Sequence, residues 1–324
     1  MLPTGLASGG VPRSQSPNRQ PDSIRRTTSI DVLHLHDSRN RLQITCRGQD
    51  MLTSQAGAAT NDEINFVLTA GKHDGVIDSV HTPVSAALRS LTGTSLRRGF
   101  RKAIAPGHYA ESGSLAAQLL DDLPVVVMVA GYSTAVEGTP FGKQPNPDRI
   151  GVCMGWRPGG TVDLALMKSG TIPIRTGPPA PALDAFDPSG WHSLPELERH
   201  AVRRLRQLDL IHTNGAFLAE AMFRDSHVDS DGHETVIHEY DLAAQIDMPT
   251  QEISAIESTP RVLPYRECPK AADSTQRIVG MSVSNVRRAV PTTLSGVSSC
   301  THLNDLIRTL GDVPHLGRHL PHPL

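Results

Sequence analysis

Three residues in the later part of the chain are of types that hold metals or do thiol chemistry. They are Cys268 in Glu267-Cys268-Pro269, and Cys300 and His302 in Cys300-Thr301-His302. Thiolate sulfur and imidazole nitrogen suit zinc and iron, and a tetrahedral site takes four such donors. His238, or its neighbour Glu239, can supply the fourth. Cys300 stands where a helical pattern opens, and a helix N-terminus favours the thiolate. A thiolate there is a ligand or a nucleophile, so Cys300 is also the candidate catalytic residue. The competing reading is packing, because free cysteine is commonly a small buried hydrophobe. Cys46 and Cys153, in strand-like runs without ligand-type neighbours, are read that way.

The other histidines carry less. His227, His233 and His238 surround the turn Asp229-Ser230-Asp231-Gly232. As a calcium loop this string fails its register. With Gly232 at position six, positions one and twelve are His227 and His238, where acids are required. A polar hairpin turn is the better reading. Trp191-His192 follows a proline-rich stretch, where Trp191 either lids a pocket or anchors the stretch by burial. His315, His319 and His322 are given no function. No phosphate loop, dinucleotide fingerprint, nucleophile elbow or His-Glu-x-x-His motif is present.

The elements that must position these residues follow from periodicity. Residues 1–23 are turn-rich and poor in apolar side chains, which predicts disorder. Residues 24–130 read as paired strands followed by short helices, with a Gly/Ala/Ser/Thr loop at 51–61. Residues 131–200 are rich in proline and glycine and read as an extended arm. Residues 201–314 read again as strands then helices, and 315–324 as a frayed tail. The two strand–helix regions echo each other. Arg25-Arg26 before Ile30-Asp31-Val32 answers Arg203-Arg204 before Leu208-Asp209-Leu210. Arg47 and Asp50 answer Arg224 and Asp225, and Ile64 to Ile77 answers Tyr240 to Ile253. Ser114-Leu115 to Pro124 answers Thr301-His302 to Pro314. The fold class expected is α+β: two tandem copies of a β-hairpin-rich sheet followed by helices, joined by a long proline-rich arm. One arginine of each pair is expected to meet Asp31 or Asp209. The copies differ where the second has its Cys/His set and the first has apolar or small residues (Val84 to Ala87, and Ser112 to Ser114).

Composition narrows the class. With 20% charged residues and a net charge of −2, the chain lacks the basic balance of a nucleic-acid binder. Apolar runs such as Leu123 to Ala130 are too short to span a bilayer, and no secretory leader is read, so a cytoplasmic location without membrane partners is expected. Four cysteines without a leader indicate free thiols or ligands rather than a disulfide framework.

The strings RRTTSIDV, FRKAI, GWRPGGT, FRDSH, IHEYDL, LPYRECPKAA and SSCTHLNDLIRTL resemble the bacterial family called domain of unknown function 2889, in its actinobacterial long form. That likeness covers about residues 24–314 and implies no activity. More remotely, the order of elements in the second region is similar to NifU-like iron–sulfur scaffold proteins. By that likeness Cys268 and Cys300 are ligands, with His302 a ligand or its neighbour, although the scaffolds' early strand cysteine is missing here. The expectation is a protein that binds zinc or iron through Cys268, Cys300, His302 and His238. The alternatives are a thiol- or metal-dependent enzyme acting on a small organic substrate, in a pocket roofed near Trp191, and a non-catalytic accessory protein. Partners and oligomeric state are not specified by the sequence.

Overall fold

The computed structural model describes residues 10–35, 40–83, 85–97, 99–104, 110–136, 149–213 and 215–320. One antiparallel sheet of eight strands dominates it. The first half contributes β1 (Ser23–His34), β2 (Arg41–Ser54), β3 (Gly57–Gly71) and β4 (Ile77–His81). The second contributes β5 (Val202–Thr213), β6 (Ala216–Val228), β7 (Glu234–Asp247) and β8 (Ile253–Val262). The order β4-β3-β2-β1-β5-β6-β7-β8 makes two meanders that meet along β1 and β5. The helices are α1 (Ala86–Arg89), α2 (Phe100–Ala103), α3 (Leu115–Val136), α4 (Thr161–Ser169), α5 (Val283–Thr293), α6 (Thr301–Arg308) and α7 (Val313–Gly317). Tighter 3₁₀ turns include Met154–Trp156, Cys268–Ile278 and Thr309–Asp312. The architecture is therefore mixed α+β.

Alternation along the strands sends even-numbered residues of β1 to one face and odd-numbered ones to the other. Ile24, Ile30 and Val32 point to the helix face. There β1–β4 pack with α1–α3, and β5–β8 pack with α5–α7. The opposite face of the central strands is polar yet also buried. Residues 10–22 and the segment before β5 cover it. Trp191 packs there with Leu183, Leu205 and Met222, and its indole N–H donates to Ser16 at 2.8 Å. Both His192 ring nitrogens are partnered, Nδ1 with the Thr27 hydroxyl at 2.9 Å and Nε2 with the Ser29 hydroxyl at 2.8 Å. Trp191 is thus an anchor, as its burial reading expected.

Ion pairs make this buried polar face tolerable, because a buried charge is accepted only when paired and hydrogen-bonded. In the β1–β5 register Arg25 lies opposite Asp209, and Arg203 opposite Asp31. Arg25 Nε reaches Asp209 at 2.7 Å, and Arg203 Nε reaches Asp31 at 2.6 Å. The expected partners are found, and each pair crosses between the halves. On the helix face Arg26 forms a bidentate pair with Asp50 (2.7 and 2.6 Å), and Arg204 with Asp225 (2.7 and 2.8 Å).

Several boundaries differ from the sequence reading. Residues 10–22, expected to be disordered, are pinned by charged and amide groups instead of apolar burial. Arg19 pairs with Asp187 at 2.7 Å, Arg224 donates to the Arg13 carbonyl at 2.6 Å, and Arg25 donates to the Pro17 carbonyl at 2.7 Å. The loop expected at 51–61 is mostly strand. β2 runs on to Ser54 and β3 starts at Gly57 across a bulge beside Asp50. The start of β3 is exposed throughout, so no apolar face marked it. The expected arm is entered by α3, which continues to Val136, and it contains α4; residues 137–148 lie outside the described residues. The expected frayed tail packs as far as Leu320 through Leu316 and Leu320, and 321–324 lie outside the described residues.

One helix, over Leu115–Tyr132, is long and apolar enough by composition to cross a membrane, which the sequence reading had excluded. Of that stretch 61% is buried inside the fold. Its Asp121 and Asp122 pair with Arg308 and Arg206 of the second half.

Candidate functional site

The sheet's two-residue period divides the residues expected to act together. His238 lies on the helix face of β7. Glu239 follows it and therefore points to the opposite face, where it accepts from Arg224 Nε and the Arg13 backbone N–H. Burial raises its carboxyl, with Arg224 opposing. Glu239 cannot share a ligand set with His238.

What His238 meets is Asp225 and His302. A bulge between β6 and β7 begins at the Asp225–His238 pair. Bulges re-aim side chains next to sites. His238 Nδ1 lies 3.2 Å from Asp225 Oδ2. The ring of His302, from the first turn of α6, stacks on His238 with centroids 3.8 Å apart and planes at 23°. Phe223 lies parallel beyond it, 6.3 Å from the His302 centroid. Donor atoms of Asp225, His238 and His302 all fall within 4.8 Å of one another.

Electrostatics leave these groups in ligand-ready states. Burial alone would raise the Asp225 carboxyl, but the charge and hydrogen bonds of Arg204, with help from His238, hold it far below the usual carboxylate range. Burial pushes the His302 imidazole well below its ordinary value, and nearby His238, Arg204 and Arg206 add to this against Asp225. His302 is therefore neutral at physiological pH. Its Nε2 is buried and makes no hydrogen bond. Orphaned buried polar atoms are rare and call for an explanation.

The cysteines fall elsewhere. Cys300 caps α6, and its sulfur lies 4.0 Å from His302 Nδ1. Cys268 does not join the donor atoms of His238 and His302. It opens the 3₁₀ turn Cys268–Ile278, under Tyr240, whose hydroxyl meets the Cys268 carbonyl at 3.4 Å. The helix terminus does not create a thiolate. Burial pushes the Cys300 thiol up to about 11, overriding the N–H groups of Leu303 and His302 that favour the anion. Cys268 is likewise raised by burial and by neighbouring Cys300. A low-pKa nucleophile at Cys300, as the sequence suggested, is corrected on this ground.

The remaining candidates resolve simply. Asp229 accepts from the backbone N–H groups of Asp231 and His233, both at 2.9 Å, so the string around Gly232 is a polar hairpin turn. A cleft of about 1480 Å³ opens between the helices of the two halves, lined by Phe100, Met128, Arg149, Leu294 and Asn304. It lies on the helix face. Trp191 is on the other side of the sheet and does not roof it.

Sequence reasoning missed one residue of this group. Asp225 was noticed only as the echo of Asp50. Its place opposite His238 depends on strand pairing plus a bulge, although an Asp and a His on adjacent strands of a hairpin was a usable signal. The turn after Cys153 is tied to the residue before Cys300, since Met154 N donates to the Ser299 carbonyl at 2.8 Å.

No curated protein and no solved structure matches the chain. Residues 202–315, the stretch holding Asp225, His238, Cys268, Cys300 and His302, match the family described as "Protein of unknown function (DUF2889)".

Proposed function

We propose that this protein binds a divalent metal ion, zinc or iron, through Asp225, His238 and His302. The observation that carries the reading is the gathering of three donor atoms, one each from Asp225, His238 and His302, within 4.8 Å of one another, with the buried Nε2 of the His302 ring making no hydrogen bond. One carboxylate and two imidazoles suit zinc or iron(II), and three protein ligands leave positions open for water or substrate. Asp225 either ligates directly or orients His238 by holding its Nδ1, as carboxylates commonly do for metal-bound histidine. Cys300, 4.0 Å from the His302 ring, is the further donor closest to hand from the originally expected set. We read the site as the specialised part of the second copy of a duplicated unit, the arm having joined the copies. The reciprocal Arg25–Asp209 and Arg203–Asp31 pairs support that reading.

The test is elemental analysis of untagged protein from zinc- and iron-supplemented cultures. About one metal per chain is expected, as for a single site. His238→Ala and His302→Ala should each abolish it, whereas His319→Ala, in the C-terminal segment, should not. Absence of metal from the wild type, or full retention after His302→Ala, would sink the proposal.

A further inference from the structure

We infer that the cleft between the helices of the two halves binds an organic anion with an apolar body, held by a carboxylate or phosphate head. The cleft encloses about 1480 Å³. That exceeds the roughly 300–1,000 Å³ of ordinary small-molecule sites and leaves room for a long ligand. Its lining is unbalanced in charge. Among the described residues six lysines and arginines line it against one carboxylate, Asp305, in a chain whose net charge is −2. Two of the six are already paired. Arg101 Nη2 meets Asp305 at 2.7 Å, and Arg308 Nε meets Asp121 at 3.0 Å. Lys72, Arg97, Lys102 and Arg149 make no ion pair among the described residues. Arg97 Nη2 donates to the Lys72 carbonyl at 2.8 Å, which gathers these two cations at one end. A cleft lined by one sign of charge concentrates ligands of the other sign.

Much of the remaining wall is apolar. α3 packs on strands of both halves and lines the cleft with Val125 and Met128, joined by Phe100 from the first half and Leu294 from the second. Met128 is 42% exposed and Val152, also in the lining, 49%. Apolar side chains left open beside a cavity are covered when a ligand with an apolar body enters. One acceptor is also unused. The Asn304 amide N–H donates to the Leu294 carbonyl at 2.7 Å, which fixes the orientation of the amide. Its Oδ1 is then buried without a partner, and such an atom calls for a donor. Apolar walls with a few such polar points and charged groups are the makeup of a small-molecule site. A nucleic acid suits the cations but not these walls, since phosphate contacts need no apolar surface. Asp225, His238 and His302 lie outside the lining, so the two sites stand apart.

Binding of the fluorescent anion 1-anilinonaphthalene-8-sulfonate to the native full chain tests this. About one saturable equivalent is expected, as for a single cleft. Decanoate and decyl phosphate should displace it, the tighter of the two identifying the head group, whereas decanol and decyltrimethylammonium should not. Lys102→Glu and Arg149→Glu, both at exposed positions, should each weaken binding about tenfold. Lys168→Glu, exposed on α4 and outside the lining, should leave it unchanged. His302→Ala should lose metal and keep the anion, so the two proposals fail separately. Acetylation of the wild type gives a reading free of mutant folding. The tighter displacer, at about ten times its Kd, should slow acetylation of Lys72 and Lys102 about tenfold, the factor 1 + [L]/Kd, and leave Lys168 unchanged. No saturable binding, equal displacement by decyltrimethylammonium, or unchanged acetylation of both Lys72 and Lys102 would each overturn the inference.

Discussion

The two halves of the sheet carry the same buried pair at corresponding places and finish it differently. Arg26 grips Asp50, and Arg204 grips Asp225, each beside a bulge in the next hairpin. Two residues further along each register, Thr28 faces Gly48 while Arg206 faces Phe223. In the first half a Cβ on Gly48 would meet Leu115 at 3.0 Å, so a leucine fills the space above the sheet. In the second half Phe223 lies beneath His302 instead. Across the bulge, Asp50 pairs with exposed Asp62, and Asp225 with His238. A glycine, a leucine and an exposed acid in one half thus stand where the other has an aromatic ring and two imidazoles. The first half shows that the frame needs only the Arg–Asp pair. The imidazoles are additional to it.

Removing the shared element should have the largest effect. Asp50→Ala and Asp225→Ala each strand a fully buried guanidinium, at a cost of about 3–5 kcal/mol in urea unfolding. The comparison is sharpened by metal content, which should survive the first substitution and vanish in the second. A cost below about 1 kcal/mol for either would mean that the pair is not the common frame.

Acid should come next and should separate the halves. The folded protein holds His227 at about 4, chiefly by burial and by the nearby His200 charge, and holds His302 well below its ordinary value. Burial, with Arg47, also lowers His192 to about 3. An unfolded histidine takes its proton near pH 6.5, so between there and these lower values the unfolded chain binds more protons. Stability is therefore full above about pH 6.5 and falls as pH drops, by about 2 kcal/mol per histidine at pH 5. Asp225, also lowered in the fold, works in the same direction but in a more acidic window. Its contribution is present above the unfolded carboxyl value, about 3.9, and is lost only below it. Since His227 and His302 belong to the second half, hydrogen exchange at pH 5 should rise in β6 and β7 before β2 and β3. His227→Gln should flatten the slope, and equal acceleration in all four strands would contradict the assignment.

The sequence disclosed the strands well, because runs such as Arg203 to Ile211 combine β-prone residues with a regular alternation. It also disclosed the partners of the arginine pairs. What it concealed lay where both faces of a strand are buried. There polar residues such as Thr27 and Gln207 look like a solvent face but contact His192 and Ser16. Residues 10–22 escaped for a related reason: what fixes them is ion pairs and carbonyl contacts, which leave no hydrophobic pattern. The site was half legible. His238 and His302 were identified as ligand types, but their common neighbour Asp225 depends on register and a bulge. Joining them to Cys268 required a distance that sequence spacing cannot supply.

The smallest effect should come from Asp62→His, which puts an imidazole opposite Asp50 to mimic His238. Asp62 is exposed and makes no ion pair among the described residues, so stability should change by no more than about 0.5 kcal/mol. Metal content should stay at the wild-type value. Asp50 and one imidazole provide only two donors, and Leu115 occupies the place that His302 takes in the second half. Extra metal bound by Asp62→His would show that an Asp–His pair beside a bulge suffices, and that the His302 imidazole is not what distinguishes the second half.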